Sequence, residues 1–218
     1  MTCTSLADGC LIPISTPIWA KTKEARTKFF CRKYFYAWNC LGICDHQNKF
    51  IWFSCQAPGA THDSVIYYTS RVRAMIEATF DYDSPRFFLG DKGYTNERSM
   101  IVPFREKSAK TRAQKLFNAA LTKARVVIEH SYGIFKKMWP IFLYKVRKYR
   151  CLNSQATILA GIVLHNISRD LREEVPPLPS TMSLDRFDQL MSLQRDPATT
   201  NQEHNSFIRN RIVEKYFS

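Results

Sequence analysis

The sequence predicts an α/β fold, a mixed β-sheet with helices on its faces. Three observations carry that expectation. Aromatic and β-branched runs crowd the first third, a short apolar run recurs near residue 88, and long helical periodicities fill the second half. A hairpin meander followed by β–α alternation is the pattern of a sheet whose later strands need covering helices.

The elements follow in order. SLADGCLIPIS reads as one strand, short and interrupted by a turn-like Asp8-Gly9. YFYAWNCLGIC (Tyr34–Cys44) and KFIWFSCQA (Lys49–Ala57) read as two more, with DHQN as the hairpin loop between them. PGATHDS leads into a helical pattern from Ser64 to Thr79, with Val65, Tyr68, Val72, Met75 and Ile76 on one face. RFFLGD (Arg86–Asp91) returns to strand, and MIVPF is a brief extended piece. Helix is expected from Ala109 to Met138, with Leu116, Ala120, Val127 and Ile128 as its apolar stripe and Pro140 closing it. A last long helix runs from Ser154 to Leu171. The clustered prolines of VPPLPS mark a domain edge, giving a folded domain over 1–174 and a linker and tail over 175–218. That tail is expected to be polar and mobile until NSFIRNRIVEKYF, which docks as a short helix.

A chain of 218 residues buries one good core, and 45% hydrophobic content excludes wholesale disorder. The formal charge of +13 favours a polyanionic partner, because each neutralised phosphate releases counterions. No carboxylate occurs between Glu129 and Asp170, where Lys136, Lys137, Lys145, Arg147, Lys148, Arg150 and Arg169 interleave with aromatics. The run from Lys145 to Arg150 reads as a phosphate track on the outer face of folded structure. The cysteine count is odd, seven, with no CxxC pair, so reduced core thiols are expected and Cys40 with Cys44 make a poor case for zinc. No apolar run is long enough to span a membrane, and the first residues lack the pattern of a signal peptide, so retention inside the cell is expected.

FFLGDKGY drives an apolar run into a carboxylate, Asp91, bracketed by glycines. A buried acid is costly unless negative charge is needed where it sits. Asp8 stands in the same relation to the first strand, Asp63 to a loop, and Glu129 to the apolar Val126-Val127-Ile128 of a helix. If the first and fourth strands are neighbours, Asp8 and Asp91 meet at one sheet edge, and gathered carboxylates repel one another unless divalent cations hold them. Singly, Asp91 and Asp8 read as turn acids and Glu129 as a helix pair with Arg125. His62 and His165 read as residues that bond backbone carbonyls, and Asn166 as a local hydrogen-bonding group.

Four motifs in one order change that balance. Gly90-Asp91-Lys92-Gly93-Tyr94, then Arg125 to Glu129 with Tyr132, Gly133 and Lys136, then Leu164-His165-Asn166, together with the earlier PGATHDS, resemble the nuclease domain of PIF/Harbinger-type transposases, which are DDE superfamily endonucleases. The resemblance covers roughly Leu6 to Leu171. It implies an RNase H-like fold, Asp8, Asp91 and Glu129 as a catalytic triad holding Mg²⁺ or Mn²⁺, and Asp63 as a further metal-associated or supporting carboxylate. Arg125, Lys136, Lys137, Lys145, Arg147, Lys148 and Arg150 become the expected DNA contacts, and the nucleus the expected location. Two departures stand out. The family's first motif, D-G-T-H, is Asp8-Gly9-Cys10-Leu11 here, without its histidine. An N-terminal DNA-binding region is not present before Asp8, so a separate DNA-binding protein is an expected partner, and a second copy of the chain another. The rival expectation is a domesticated relative that binds DNA or protein without cutting. A plain basic scaffold leaves the ordered motifs unexplained.

Overall fold

The computed structural model describes residues 5–81, 85–146, 151–178, 182–194 and 207–217. Its centre is one mixed sheet of order β3-β2-β1-β4-β5. Strands β1 (Ser5–Pro13), β2 (Ala37–Cys44) and β3 (Phe50–Pro58) form the antiparallel meander, while β4 (Phe88–Leu89) and β5 (Met100–Ile101) add in parallel on the other side of β1. Helices flank both faces, an α/β fold consistent with an RNase H-like nuclease domain.

β1 and β2 are covered on both faces, which is why their sequences are apolar throughout instead of alternating. Edge strand β3 alternates toward solvent at Ile51 and Gln56. Asp45 closes the hairpin by accepting from the backbone N–H groups of Gln47 and Lys49, and Asn48 takes the left-handed conformation (φ 63°) that asparagine tolerates.

The expected break at Asp8-Gly9 does not occur. The β1–β2 ladder continues from Leu6↔Cys44 to Pro13↔Ala37, so Asp8 lies in mid-strand opposite Gly42. The helix expected over 64–79 is two: α2 (Asp63–Tyr68) and α3 (Arg71–Ala78). Ser70 restarts the chain, its hydroxyl accepting from Arg73 N–H as an N-cap. The restart shifts the helical phase, so Ile66, Tyr67, Val72 and Ile76 are buried while Val65, Tyr68 and Met75 are exposed.

Short helix α1 (Lys23–Thr27) precedes the strand pair. α4 (Arg112–Met138) opens on a capping box in which Thr111 and Gln114 exchange bonds, and Pro140 follows its end in a short 3-10 turn. Its inward ridge is Phe117, Leu121, Ile128, Tyr132 and Phe135, with Leu116 and Ala120 outside. Phe135 is fully buried and stacked on Phe142 at 4.7 Å. Truncating it removes a fully buried aromatic from the core, so Phe135→Ala should cost about 3–5 kcal/mol, read as a lowered urea midpoint at unchanged slope.

α5 (Cys151–Asp170) braces the sheet through non-local hydrogen bonds. Trp38 Nε1–H donates to Ser154 Oγ, and Asn166 clamps Phe50 by accepting from its N–H and donating to its carbonyl. His165 Nε2 pairs with the carbonyl of Asn48, the backbone role expected of it. Asn166 is not a local group but the latch of β3, a pairing across the fold that local spacing cannot show. Beyond residue 175, α6 (Leu184–Gln194) contributes Phe187 and Met191 to the main core, and α7 (Phe207–Tyr216) places Ile208, Ile212 and Val213 against Phe117 and Leu121. Arg209 docks α7 with its guanidinium 3.8 Å over the Phe104 ring. Among the described residues no helix is long and apolar enough to cross a membrane.

Candidate active site

Side chains alternate along β1, and Leu6, Cys10 and Ile12 share the cluster that α4 and α5 cover. Asp8 lies on that same face, in phase with them. β4 runs parallel to β1 with Leu6 beside Leu89, and Asp91 follows two residues past the end of β4, near enough for its charge to act on Asp8. Asp91 is largely buried, its Oδ1 accepting from Gly93 N–H at 2.8 Å. The parallel pairing of two strands far apart in sequence is what unites the two acids.

α4 lies along β1 and contacts it at successive turns. Arg125 Nη2 is 3.3 Å from Asp8 Oδ2 and 4.0 Å from Glu129 Oε1. Both carboxylates therefore face one guanidinium nitrogen. The Tyr132 hydroxyl donates to the Asp8 carbonyl at 3.1 Å. That approach requires glycine opposite Asp8, since a Cβ at Gly42 would lie 2.5 Å from the hydroxyl. One turn further, Lys136 Nζ sits 2.9 Å from Cys10 Sγ and 3.4 Å from the Leu11 carbonyl.

Asp63, the first residue of α2, comes from the opposite face of the sheet. Its carboxylate rests on the Cα of Gly9, where a Cβ would fall within 2.2 Å of all three carboxyl atoms. Asn39 Nδ2 donates to it at 2.6 Å. Gly9→Ala should therefore displace Asp63 while sparing most of the fold, because the clash is with the end of a side chain. A thermal midpoint close to wild type with weakened divalent-cation binding is the expected pair of results; unchanged binding would mean that Asp63 plays no part.

Burial raises the Asp8 carboxyl to about 7, with the charges of Asp63 and Asp91 adding to the rise and Arg125 opposing it. Burial likewise raises Asp63 to about 6, with Asp91 adding and the Asn39 bond and Arg32 opposing. Three carboxylates thus share one field, the situation that favours a bound cation. Among the described residues, the buried Tyr94 hydroxyl and Asn39 Oδ1 beside them have no hydrogen-bond partner. The Tyr94 ring packs on Gly90, where a Cβ would meet it at 2.9 Å. Burial, then the charges of Asp63, Asp8 and Asp91, hold its hydroxyl in the protonated, donor form. An orphaned donor, an orphaned acceptor and hard carboxylate oxygens suit a hydrated divalent cation in kind. Among the described residues, no three His, Cys, Asp or Glu side chains converge into a ready-made metal site.

The expected DNA contacts divide. Arg125 is turned inward onto the acids. Lys136 is fully buried against β1 and so is not a surface phosphate contact. The reason is helical phase, since it extends the Ile128–Tyr132 ridge by one turn. Lys137 is half-buried with its ammonium 5.3 Å from the Phe187 ring, and Lys145 is exposed. Arg147, Lys148 and Arg150 lie outside the described residues. Leu11, at the position of the family's histidine, is buried with Cys31 and Ala37 on the face away from Asp8. Cys10, Cys31, Cys40, Cys44, Cys55 and Cys151 are free thiols, and all but Cys151 are buried. His62, at the N-cap of α2, is exposed. The sequence did not single out Asn39, whose one signal was an amide inside the apolar run Trp38–Cys44, and it placed Tyr94 and Tyr132 in motifs without giving either a role.

Residues 7–166 match the family model of the DDE superfamily endonucleases. No curated protein and no solved structure matches the chain.

Proposed function

Because the chain belongs to the DDE superfamily endonucleases, we propose that it is a DNA endonuclease of the PIF/Harbinger transposase type, dependent on Mg²⁺ or Mn²⁺ and working in the nucleus. One observation carries the proposal: the β1–β4 pairing brings Asp91, two residues past β4, near enough for its charge to act on Asp8, and Glu129 from α4 meets the same guanidinium as Asp8. Asp8, Asp91 and Glu129 would hold the cation, which when bound would activate a water or the 3′-hydroxyl of DNA and steady the leaving oxygen of a phosphodiester. Asp63, carried on Gly9 and tied to Asn39, supports the set from the other face, and the unpartnered Tyr94 hydroxyl offers a donor to a ligand held there. Tyr132 fixes the backbone of Asp8, and so the direction of its carboxylate. The excess of positive charge draws DNA to the protein. Glu129 borders a groove of about 370 Å³ between α4 and α6, which leaves that side of the site open to solvent.

The test is plasmid nicking. Purified protein with Mn²⁺ should relax supercoiled DNA, and chelation should stop it. The Arg125 contact and the buried Leu11 favour a second reading, a relative that binds DNA without cutting. Salt-sensitive DNA binding with no nicking at any Mn²⁺ concentration would select it.

A further inference from the structure

We propose that Arg125 is a built-in counter-cation. Its guanidinium occupies the place between Asp8 and Glu129 in the metal-free protein and is expelled when a divalent cation binds. Metal affinity is thereby set by competition with this side chain. The inference rests on Asp8 and Glu129 being cation ligands, as proposed above.

The geometry sets out the competition. Arg125 Nη2 lies 3.3 Å from one carboxylate and 4.0 Å from the other. Divalent cations take carboxylate oxygens at about 2.0–2.6 Å. A cation bound to both acids would therefore take the place where the guanidinium now meets them. A permanently charged guanidinium cannot lose a proton to make way, so it has to move. Arg125 and Glu129 are one turn apart on α4, and the arginine side chain is one-fifth exposed. Its hold is also partial, for its Nε is buried with no hydrogen-bond partner. The pair with Asp8 runs through Nη2 and lacks the two parallel bonds that make an arginine–carboxylate pair strong. In the metal-free state this contact opposes the repulsion that Asp63 and Asp91 exert on Asp8. The folded protein thus carries a substitute for the ion it awaits.

Titration calorimetry with Mn²⁺ on the full chain tests this. Arg125→Gln should bind Mn²⁺ about tenfold more tightly than wild type, and its melting temperature should rise more on Mn²⁺ addition from a lower metal-free start. Arg125→Lys, which keeps a positive charge, should stay near wild type. Binding by the glutamine variant alone would also support the competition. Equal or weaker binding by that variant, with wild type binding normally, overturns this inference and leaves the nuclease reading intact. No binding by either protein overturns both. A measurement on unmodified protein covers the case in which the variants do not fold. Mg²⁺ should shift the Arg125 Nε–H resonance and speed its exchange with water; a resonance that stays still while Mg²⁺ binds refutes the expulsion.

Discussion

Asp91→Asn should lower Mn²⁺-dependent DNA cleavage by about 10³-fold or more while the protein stays folded. A ligand carboxylate is worth several kcal/mol of transition-state stabilisation, and each 1.36 kcal/mol is a decade of rate. The replacement is isosteric and its amide oxygen still accepts from Gly93 N–H, so the turn after β4 survives. Asp8→Asn should abolish cleavage equally and, unlike most core changes, stabilise the metal-free protein at neutral pH. It removes a buried charge that Asp63 and Asp91 repel. Cleavage assays paired with thermal melts separate the two effects. A variant at either position that cuts at the wild-type rate would rule out carboxylate catalysis here. Loss of cleavage with a collapsed melt would instead mark the residue as structural.

The pH dependence of stability in the metal-free protein is the second large effect. In the folded chain Asp8 lies near 7 and Asp63 near 6, both above the 3.8 of an unfolded aspartate. Between those limits the folded state binds more protons than the unfolded one, so stability falls as pH rises from about 4 through 7. At 1.36 kcal/mol per unit, the Asp8 shift alone corresponds to roughly 4 kcal/mol. Below 7 the buried His165 contributes a slope of the opposite sign, since burial lowers its pKa from 6.5 and its contribution is lost as pH falls. The informative quantity is therefore the difference between wild type and Asp8→Asn across pH 4 to 8. That difference should widen in favour of the variant as pH rises, and saturating Mg²⁺ should cancel it. A difference that stays flat would mean that Asp8 is not held in a repulsive, desolvated place.

The antiparallel meander was legible in the sequence because β-branched and aromatic runs bounded by DHQN have one economical arrangement. α4 and α5 were legible for the same reason at a different period. What escaped the sequence turned on phase and on distant partners. Asp8-Gly9 looks like a turn, yet Gly9 is there so that Asp63 can seat its carboxylate on the strand from behind. Lys136 looks like part of a basic face, yet its place on the Ile128–Tyr132 ridge carries it into the core. Ser70 breaks one expected helix into two because its hydroxyl makes a better start than a continued turn.

Taken alone, the sequence determined the α/β class, the order of the principal elements, the strongly basic charge and which acids stand next to apolar runs. Those properties are local, since propensity, periodicity and charge depend on near neighbours in the chain. Only the tertiary structure decided that Asp8 and Asp91 are neighbours, that Asp63 arrives from the opposite face, and that Arg125 turns inward between Asp8 and Glu129. Strand register and helix rotation set these relations, and both are chosen by packing between residues far apart in the chain.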